Sequence, residues 1–258
     1  MQKNNPKILF EDSDILVLDK PAGVAVTRAE TVKSPTLQDW LEEFFKLGGN
    51  LGIGGRAGII HRLDRQTSGV ILIAKTWQSF DFLQRQFQIR KISKKYLTLV
   101  HNHPKTNSFE VNLPIARQKF GKFGVRTGGK VASTIFKILE RLEIDEDKFV
   151  KICQNLPKKF KNYLVQHATF YTFCEATPTT GRTHQIRVHA KFCRFPVVSD
   201  PLYTPRKLFR FDQAFCPRLF LHAAKITLIH PKSLKLVTYE AKLPADLELA
   251  LQYLKKAN

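Results

Sequence analysis

The nine residues His61-Arg62-Leu63-Asp64-Arg65-Gln66-Thr67-Ser68-Gly69 set one carboxylate, Asp64, between two arginines. Before them, residues 52–58 hold four glycines in seven positions and read as a flexible loop. After them, Val70-Ile71-Leu72-Ile73-Ala74 reads as a buried strand. Asp64 therefore falls at a loop-to-strand junction, where a rigid scaffold can present a side chain for chemistry. A carboxylate there can attack an electrophilic carbon or take up a proton. It can also do no more than pair with Arg62 or Arg65 on a surface loop, and charge pattern alone favours that reading. Tyr96 offers a flat face for stacking and a phenol for proton transfer, directly after Lys94-Lys95. Taken alone, a tyrosine on an apolar strand more often belongs to the core. The histidines do not group as metal ligands. His184 and His189 stand five residues apart and share a helix face poorly, while His101 and His103 have no acidic or cysteine ligand nearby. No metal and no cofactor is expected.

Charge narrows the partner. Among 258 residues, Lys and Arg outnumber Asp and Glu by 42 to 22, a formal net charge of +20. Such an imbalance suits a dense polyanion, namely nucleic acid. The rival is an anionic membrane. No basic amphipathic helix is evident, and no apolar run approaches the length of about 18 residues that a span needs. Met1 to Lys7 is polar and no apolar stretch follows, so no export signal is expected. Cys153, Cys174, Cys193 and Cys216 lie about twenty residues apart with no C-x-x-C pair. They read as free, mostly buried thiols in a reducing cytoplasm rather than as a zinc site or disulfide framework.

The elements that must position these residues follow from periodicity. Ile8-Leu9-Phe10 and Ile15-Leu16-Val17-Leu18 predict a strand pair across an Asp-rich turn. Thr36 predicts a helix N-cap, with Leu37, Trp40, Leu41, Phe44 and Phe45 on one face and Gly48-Gly49 as its stop. Trp77, Phe80, Leu83 and Phe87 predict a helix to about residue 90, and Tyr96 to Val100 a strand. Residues 116–130 are basic and glycine-rich, with Arg117, Lys119, Lys122, Arg126 and Lys130 around Phe120 and Phe123, and read as a hairpin or mobile loop. Ala132 to Leu142 alternates as a strand. Residues 143–161 look irregular, and Tyr163 to Ala176 reads as a strand from its β-formers. A helix opens at Gly181-Arg182-Thr183 and runs to about Cys193. Ile226–Leu228 and Leu236–Tyr239 are late strands, and a closing helix is expected over about 245–256. Strands outnumber helices and mostly adjoin one another, which favours an α+β chain on a largely antiparallel sheet. No repeat and no linker marks a boundary, so one domain over 1–258 is expected.

Set on these elements, the residues from His61 to Gly69 resemble the signature of the RluA-type pseudouridine synthases, which isomerise uridine in RNA. Four further blocks of that family occur in the same order: Ile8 to Gly23, Lys94 to Val100, Gly181-Arg182-Thr183-His184-Gln185-Ile186-Arg187-Val188-His189, and Arg218 to Ala223 with His230-Pro231. The resemblance runs from about residue 7 to about residue 244. It implies the pseudouridine synthase fold, a long mixed sheet with flanking helices and a central RNA-binding cleft. It places the catalytic carboxylate on Asp64, the active-site tyrosine on Tyr96 and the active-site arginine on Arg187. A guanidinium grips a carboxylate through two parallel bonds, so Arg187 would orient Asp64 and hold its charge. The other reading of Arg187 is a surface phosphate contact. Arg62 would help to flip the target base, and Ile186 would line the uracil pocket or serve the core. Arg182, Lys94, Lys95, Lys119, Lys122 and Arg126 are the expected RNA contacts. His61 and His184 would make structural hydrogen bonds around the Asp64 and Arg187 loops.

Residues 143–172 look longer than the family needs and read as an insertion. The match begins within the first ten residues, so the family's small N-terminal RNA-binding domain is expected to be absent. A cytoplasmic monomer acting on a structured rRNA or tRNA hairpin is the expected form. The competing function is a non-catalytic RNA-binding or ribosome-assembly protein that retains the fold. Such a relative should have lost Asp64, Tyr96 or Arg187, and this chain keeps all three. A third, a carboxylate-dependent glycosidase on nucleic acid, would share the first bond cleavage and differ in its product.

Overall fold

The computed structural model describes residues 5–30, 32–47, 52–118, 121–154 and 156–257. Its elements, in chain order, are β1 (Lys7–Glu11), β2 (Ile15–Lys20), α1 (Leu37–Phe44), β3 (Ser68–Ala74), α2 (Trp77–Gln88), β4 (Ser93–His101), β5 (Ser108–Asn112), β6 (Ile115–Arg117) and β7 (Phe123–Val125). There follow β8 (Ser133–Ile144), α3 (Glu146–Cys153), α4 (Lys158–His167), β9 (Phe170–Pro178), α5 (Gln185–Phe192), α6 (Arg206–Asp212), β10 (Leu221–Ile229), β11 (Leu236–Glu240), α7 (Ala245–Leu251) and β12 (Leu254–Lys256). The chain divides into two compact units. One holds Met1–Lys95 with His222–Lys242, and the other holds Tyr96–Leu221 with Leu243–Asn258.

In the first unit β1 pairs antiparallel with β2, and β2 with β3. β3 then runs parallel to β10 at His222↔Ser68 and Ala223↔Gly69, and β11 pairs antiparallel on the far part of β10. Ile15 to Leu18 and Val70 to Ala74 are buried without alternation, as strands covered on both faces must be. Ile15, Val17, Val70, Leu72, Leu83, Ile226 and Leu228 form the core. α1 starts where its sequence says it should. Thr36 and Asp39 make a reciprocal capping box, which satisfies two helix-start N–H groups at once. The expected stop at Gly48-Gly49 lies outside the described residues.

In the second unit β4 pairs antiparallel with β9, and β9 with β8, while β5 and β12 both pair antiparallel with β8. β6 and β7 form a separate two-stranded ribbon. This is the α+β arrangement of mixed sheet and flanking helices that the strand pattern predicts. Within the basic stretch 116–130, the described residues pair as β6 against β7.

The structure corrects the reading of residues 143–176. In place of an irregular segment and an early strand there are two helices. Asp145 accepts the Lys148 N–H and caps α3, and Pro157 opens α4. Leu164 and Ala168, four residues apart, are both fully buried, so helical spacing and not β-propensity decides this stretch. The strand begins only at Phe170. The closing helix is also shorter than expected. It ends at Leu251, and Leu254–Lys256 pairs with β8, with Lys255 and Lys256 each 3.4 Å from a glutamate of that strand. α6 and β5 had no counterpart in the sequence reading. No helix among the described residues is long and apolar enough to cross a membrane.

Candidate active site

Asp64 opens a tight turn, with its carbonyl accepting the Thr67 N–H at 3.0 Å. The turn leads straight into β3. Gly69 sits there at φ +114°, where a Cβ would come within 2.2 Å of the Ala223 carbonyl oxygen. Only glycine admits that approach of β3 to β10. Beside this contact Ser68 Oγ lies 2.9 Å from His222 Nδ1, and His222 Nε2 lies 3.1 Å from the Ala241 carbonyl. A carbonyl can only accept, so Nε2 carries the proton and Ser68 donates to Nδ1.

Beneath the turn lies Lys20, which is fully buried. Its ammonium donates to the carbonyls of Pro21 at 2.7 Å, Val24 at 2.9 Å and Arg65 at 3.4 Å. Gly23 N–H donates to the Arg65 carbonyl at 2.8 Å, and Arg65 Nε returns a bond to the Gly23 carbonyl at 2.9 Å. The loop after β2 and the Asp64 turn are thereby tied at main-chain groups, one bond running main chain to main chain and the others reaching carbonyls from the Lys20 and Arg65 side chains. Asp64 is half-buried and Arg62 is exposed. His61 lies beside the turn, where its Nε2 accepts the Leu72 N–H at 3.0 Å. Burial, reinforced by the nearby Lys94 charge, pushes the His61 pKa down to about 3, so its ring is neutral. The bond to Leu72 requires that neutral form.

Lys94 does not reach out as a surface cation. Its ammonium lies 5.7 Å from the centre of the Phe87 ring, which also packs against His61, and burial lowers its pKa. Lys95 is half-buried. Tyr96 is buried on β4, opposite Ala176 of β9.

Arg187 is 4% exposed, which rules out the reading as a surface phosphate contact. It lies on α5, every residue of which from Gln185 to Ala190 is buried. Its Nε and Nη2 donate to the two carboxylate oxygens of Asp200 at 2.7 and 2.8 Å. Asp200 is fully buried, and its Oδ1 also accepts the N–H groups of Leu202 at 2.9 Å and Tyr203 at 3.1 Å. A buried guanidinium needs such a partner, because an uncompensated charge in the interior is strongly destabilising. Gln185 fixes the start of the helix. Its amide donates to Ser133 O and Thr134 Oγ1, while its oxygen accepts from Thr180 Oγ1 and from the Arg182 N–H. His184 makes its expected structural bond, Nδ1 to Tyr203 Oη at 2.9 Å. Ile186 is buried.

Among the expected RNA contacts, Arg182 is exposed and its Nε donates to the Val131 carbonyl at 3.0 Å. Lys122 and Arg126 are exposed on or beside the β6–β7 ribbon, and Lys119 lies outside the described residues. Sequence reasoning missed Lys20, Asp200 and Tyr203. The Asp-Pro step at Asp200-Pro201 signals a turn, but nothing in it signals a buried counter-ion. No group of three His, Cys, Asp or Glu side chains that could hold a metal ion is found among the described residues.

Comparison with known proteins shows which family the chain resembles. Residues 14–192 match the model of the RNA pseudouridylate synthase family. The chain is 32% identical to ribosomal large subunit pseudouridine synthase C of Vibrio cholerae, over 97% of its own length and 70% of the relative's. It is 33% identical to ribosomal large subunit pseudouridine synthase D of Buchnera aphidicola, over 96% of its own length and 73% of the relative's. An uncharacterized RNA pseudouridine synthase of Bacillus subtilis is also 33% identical, over 96% of this chain and 73% of that one. In fold it is similar to human RNA pseudouridylate synthase domain containing 1, with a TM-score of 0.68 and 24% identity, over 93% of this chain and 84% of that one. The chain belongs to the RNA pseudouridylate synthase family and is an isomerase that converts uridine to pseudouridine in RNA.

Proposed function

We propose that the uridine it isomerises lies in ribosomal RNA, in a locally structured hairpin, and that Asp64, Tyr96 and Arg187 perform the reaction. The supporting observation is that all three residues lie inside the matched stretch 14–192 and all three are of the types that the reaction needs. Two relatives carry the large ribosomal subunit in their names, which favours rRNA over tRNA.

The reaction moves one bond. The C1′–N1 bond breaks with its electron pair left on uracil, the base turns, C5 bonds to C1′, and the C5 proton departs while N1 gains one. Asp64 serves the first step, by attack on C1′ or by removal of a ribose proton. Either role needs a carboxylate. Arg187 brings the positive charge of the scheme, although its two-bond fork is taken by Asp200 and not, as expected, by Asp64, and Tyr96 stacks on the detached uracil. Arg62 supports base flipping, which the step requires because C1′ and N1 are shielded in a stacked helix. Arg182, Lys122 and Arg126, with Lys95 and Lys119, contact phosphate, and Ile186 lines the uracil pocket or the core behind it. No metal or cofactor enters this scheme. The catalytic domain spans about 7–244 with an insertion at 143–172, and it acts as a cytoplasmic monomer.

Asp64→Asn tests the assignment. Asn keeps the volume but neither attacks carbon nor accepts a proton as a carboxylate does. Tritium release from RNA labelled at uridine C5 should fall to background, while RNA affinity stays near that of the parent protein. Turnover close to the parent rate would remove Asp64 from the mechanism.

A further inference from the structure

The basic ribbon β6–β7 is held by packing of its inner residues and by a bond from its main chain to the Tyr203 hydroxyl. Its inner residues Phe123 and Val125 pack on the buried cluster of Ile115, Ala132, Val188 and Tyr203. A two-stranded ribbon is marginal in water by itself, so this packing is what holds it. Within the cluster, Phe123 N–H donates to Tyr203 Oη at 3.1 Å, and Tyr203 Oη lies 2.9 Å from His184 Nδ1. A phenol has one proton. Phe123 N–H donates to that oxygen, and the bond between Tyr203 Oη and His184 Nδ1 runs in the direction set by the imidazole tautomer. The same tyrosine ring lies 5.1 Å from the guanidinium carbon of Arg187. Its own N–H donates to Asp200 Oδ1, the oxygen that accepts Arg187 Nη2. Ribbon main chain, the residue that opens α5 and the Arg187–Asp200 pair therefore all meet on Tyr203.

We propose that Tyr203 is a positioning residue for the isomerisation, transmitting the docked position of the β6–β7 ribbon to the Arg187 guanidinium. This rests on the role assigned to Arg187 above. A guanidinium is planar, so the carboxylate fork of Asp200 fixes its rotation within that plane. The aromatic ring beside it limits tilt out of the plane, at the distance where cation–π attraction operates. Both restraints come from the short segment Asp200–Tyr203. The tyrosine hydroxyl then sets where that segment sits, because it is bonded on one side to the ribbon and on the other to the start of the arginine's helix. The ribbon thus has an outer face of exposed cations and an inner face that sets the arginine.

Tyr203→Phe removes the hydroxyl bonds and keeps the ring beside Arg187. In single-turnover reactions at saturating RNA, the rate constant should fall by about ten- to a hundredfold, the scale at which small misplacement acts. The dissociation constant for RNA and the reaction endpoint, which counts folded enzyme, should stay at parent values. Tyr203→Leu, which loses the ring as well, should be slower still. Phe123→Ala loosens the same junction from the ribbon side without touching the tyrosine, and decides the matter should Tyr203→Phe fold poorly. It should lower the rate constant and spare the endpoint. A drop in endpoint or melting temperature with an unchanged rate constant in these variants would make Tyr203 purely structural and overturn the proposal. Arg187→Lys is run beside them. If it also keeps the parent rate constant, the role of Arg187 itself has failed, and the proposal with it.

Discussion

The turn that carries Asp64 is fixed through its main chain, whereas the helix that carries Arg187 is fixed through side chains. Lys20 gathers three carbonyls under the turn, and Gly23 and Arg65 exchange bonds across it. Around Arg187 the work falls to Asp200, Gln185, Tyr203 and His184. The difference bears on how each site answers mutation. A main-chain clamp is indifferent to the side chain it presents, so Asp64 can be changed with the turn still in place. A side-chain network is itself the support, so changes around Arg187 mix loss of chemistry with loss of fold.

The largest effect should come from breaking the network. Asp200→Ala leaves the Arg187 charge buried without its fork partner and should cost about 3–5 kcal/mol of stability. Urea unfolding measures this, and Asp64→Asn in the same assay should cost far less. Equal losses would erase the contrast between the two regions. Next is the clamp. Lys20→Met keeps the length but leaves buried carbonyls unsatisfied, at about 1–3 kcal/mol. It should lower stability and turnover together, because the turn loses its footing. A stable Lys20→Met enzyme with parent turnover would show that the turn does not depend on the clamp.

A pH effect follows from His61. Its folded pKa of about 3 lies below the ordinary 6.5, so the folded state binds fewer protons than the unfolded chain between those values. Its contribution is intact above pH 6.5 and is lost as pH falls toward 3, amounting to about 1 kcal/mol by pH 5.5. His61→Gln should flatten this part of the stability curve. An unchanged slope would assign the acid sensitivity to other groups. The smallest effect on stability belongs to the ribbon's outer face. Lys122→Ala with Arg126→Ala should leave the melting temperature alone but reduce the slope of log K against log salt by roughly 1.4, at about 0.7 per phosphate contact. An unreduced slope would move the phosphate contacts elsewhere.

How far the sequence could be read follows the same division. The Asp64 turn was legible because its determinants are local, with glycines before it, an apolar strand after it and one motif across it. The strand pairs and α1 were legible from periodicity and the Thr36 cap. Arg187 could be named from its motif, but Asp200 could not, because the pairing depends on burial and on the fold of the rest of α5 and the turns after it, thirteen positions along the chain. Lys20 likewise reads as an ordinary strand-end cation until the carbonyls around it are seen. Residues 163–167 misled because Tyr163 and Val165 favour strands, whereas the spacing of Leu164 and Ala168 fixed a helix, and α3 sits in a stretch whose acidic-then-basic run reads as irregular. Lys94 reads from the sequence as an RNA contact because it precedes Tyr96, and the structure sets its ammonium 5.7 Å from the centre of the Phe87 ring.

One measurement addresses the activity, the carboxylate and the RNA together. Cells lacking the gene would be supplied with either the parent protein or Asp64→Asn, and pseudouridines would be mapped at single-nucleotide resolution in their ribosomal and transfer RNA. At least one uridine of large-subunit ribosomal RNA should be pseudouridine with the parent protein and unmodified with Asp64→Asn. Identical maps would remove Asp64 from the reaction, a mark confined to transfer RNA would remove the ribosomal target, and an abasic site in place of pseudouridine would make the protein a glycosidase.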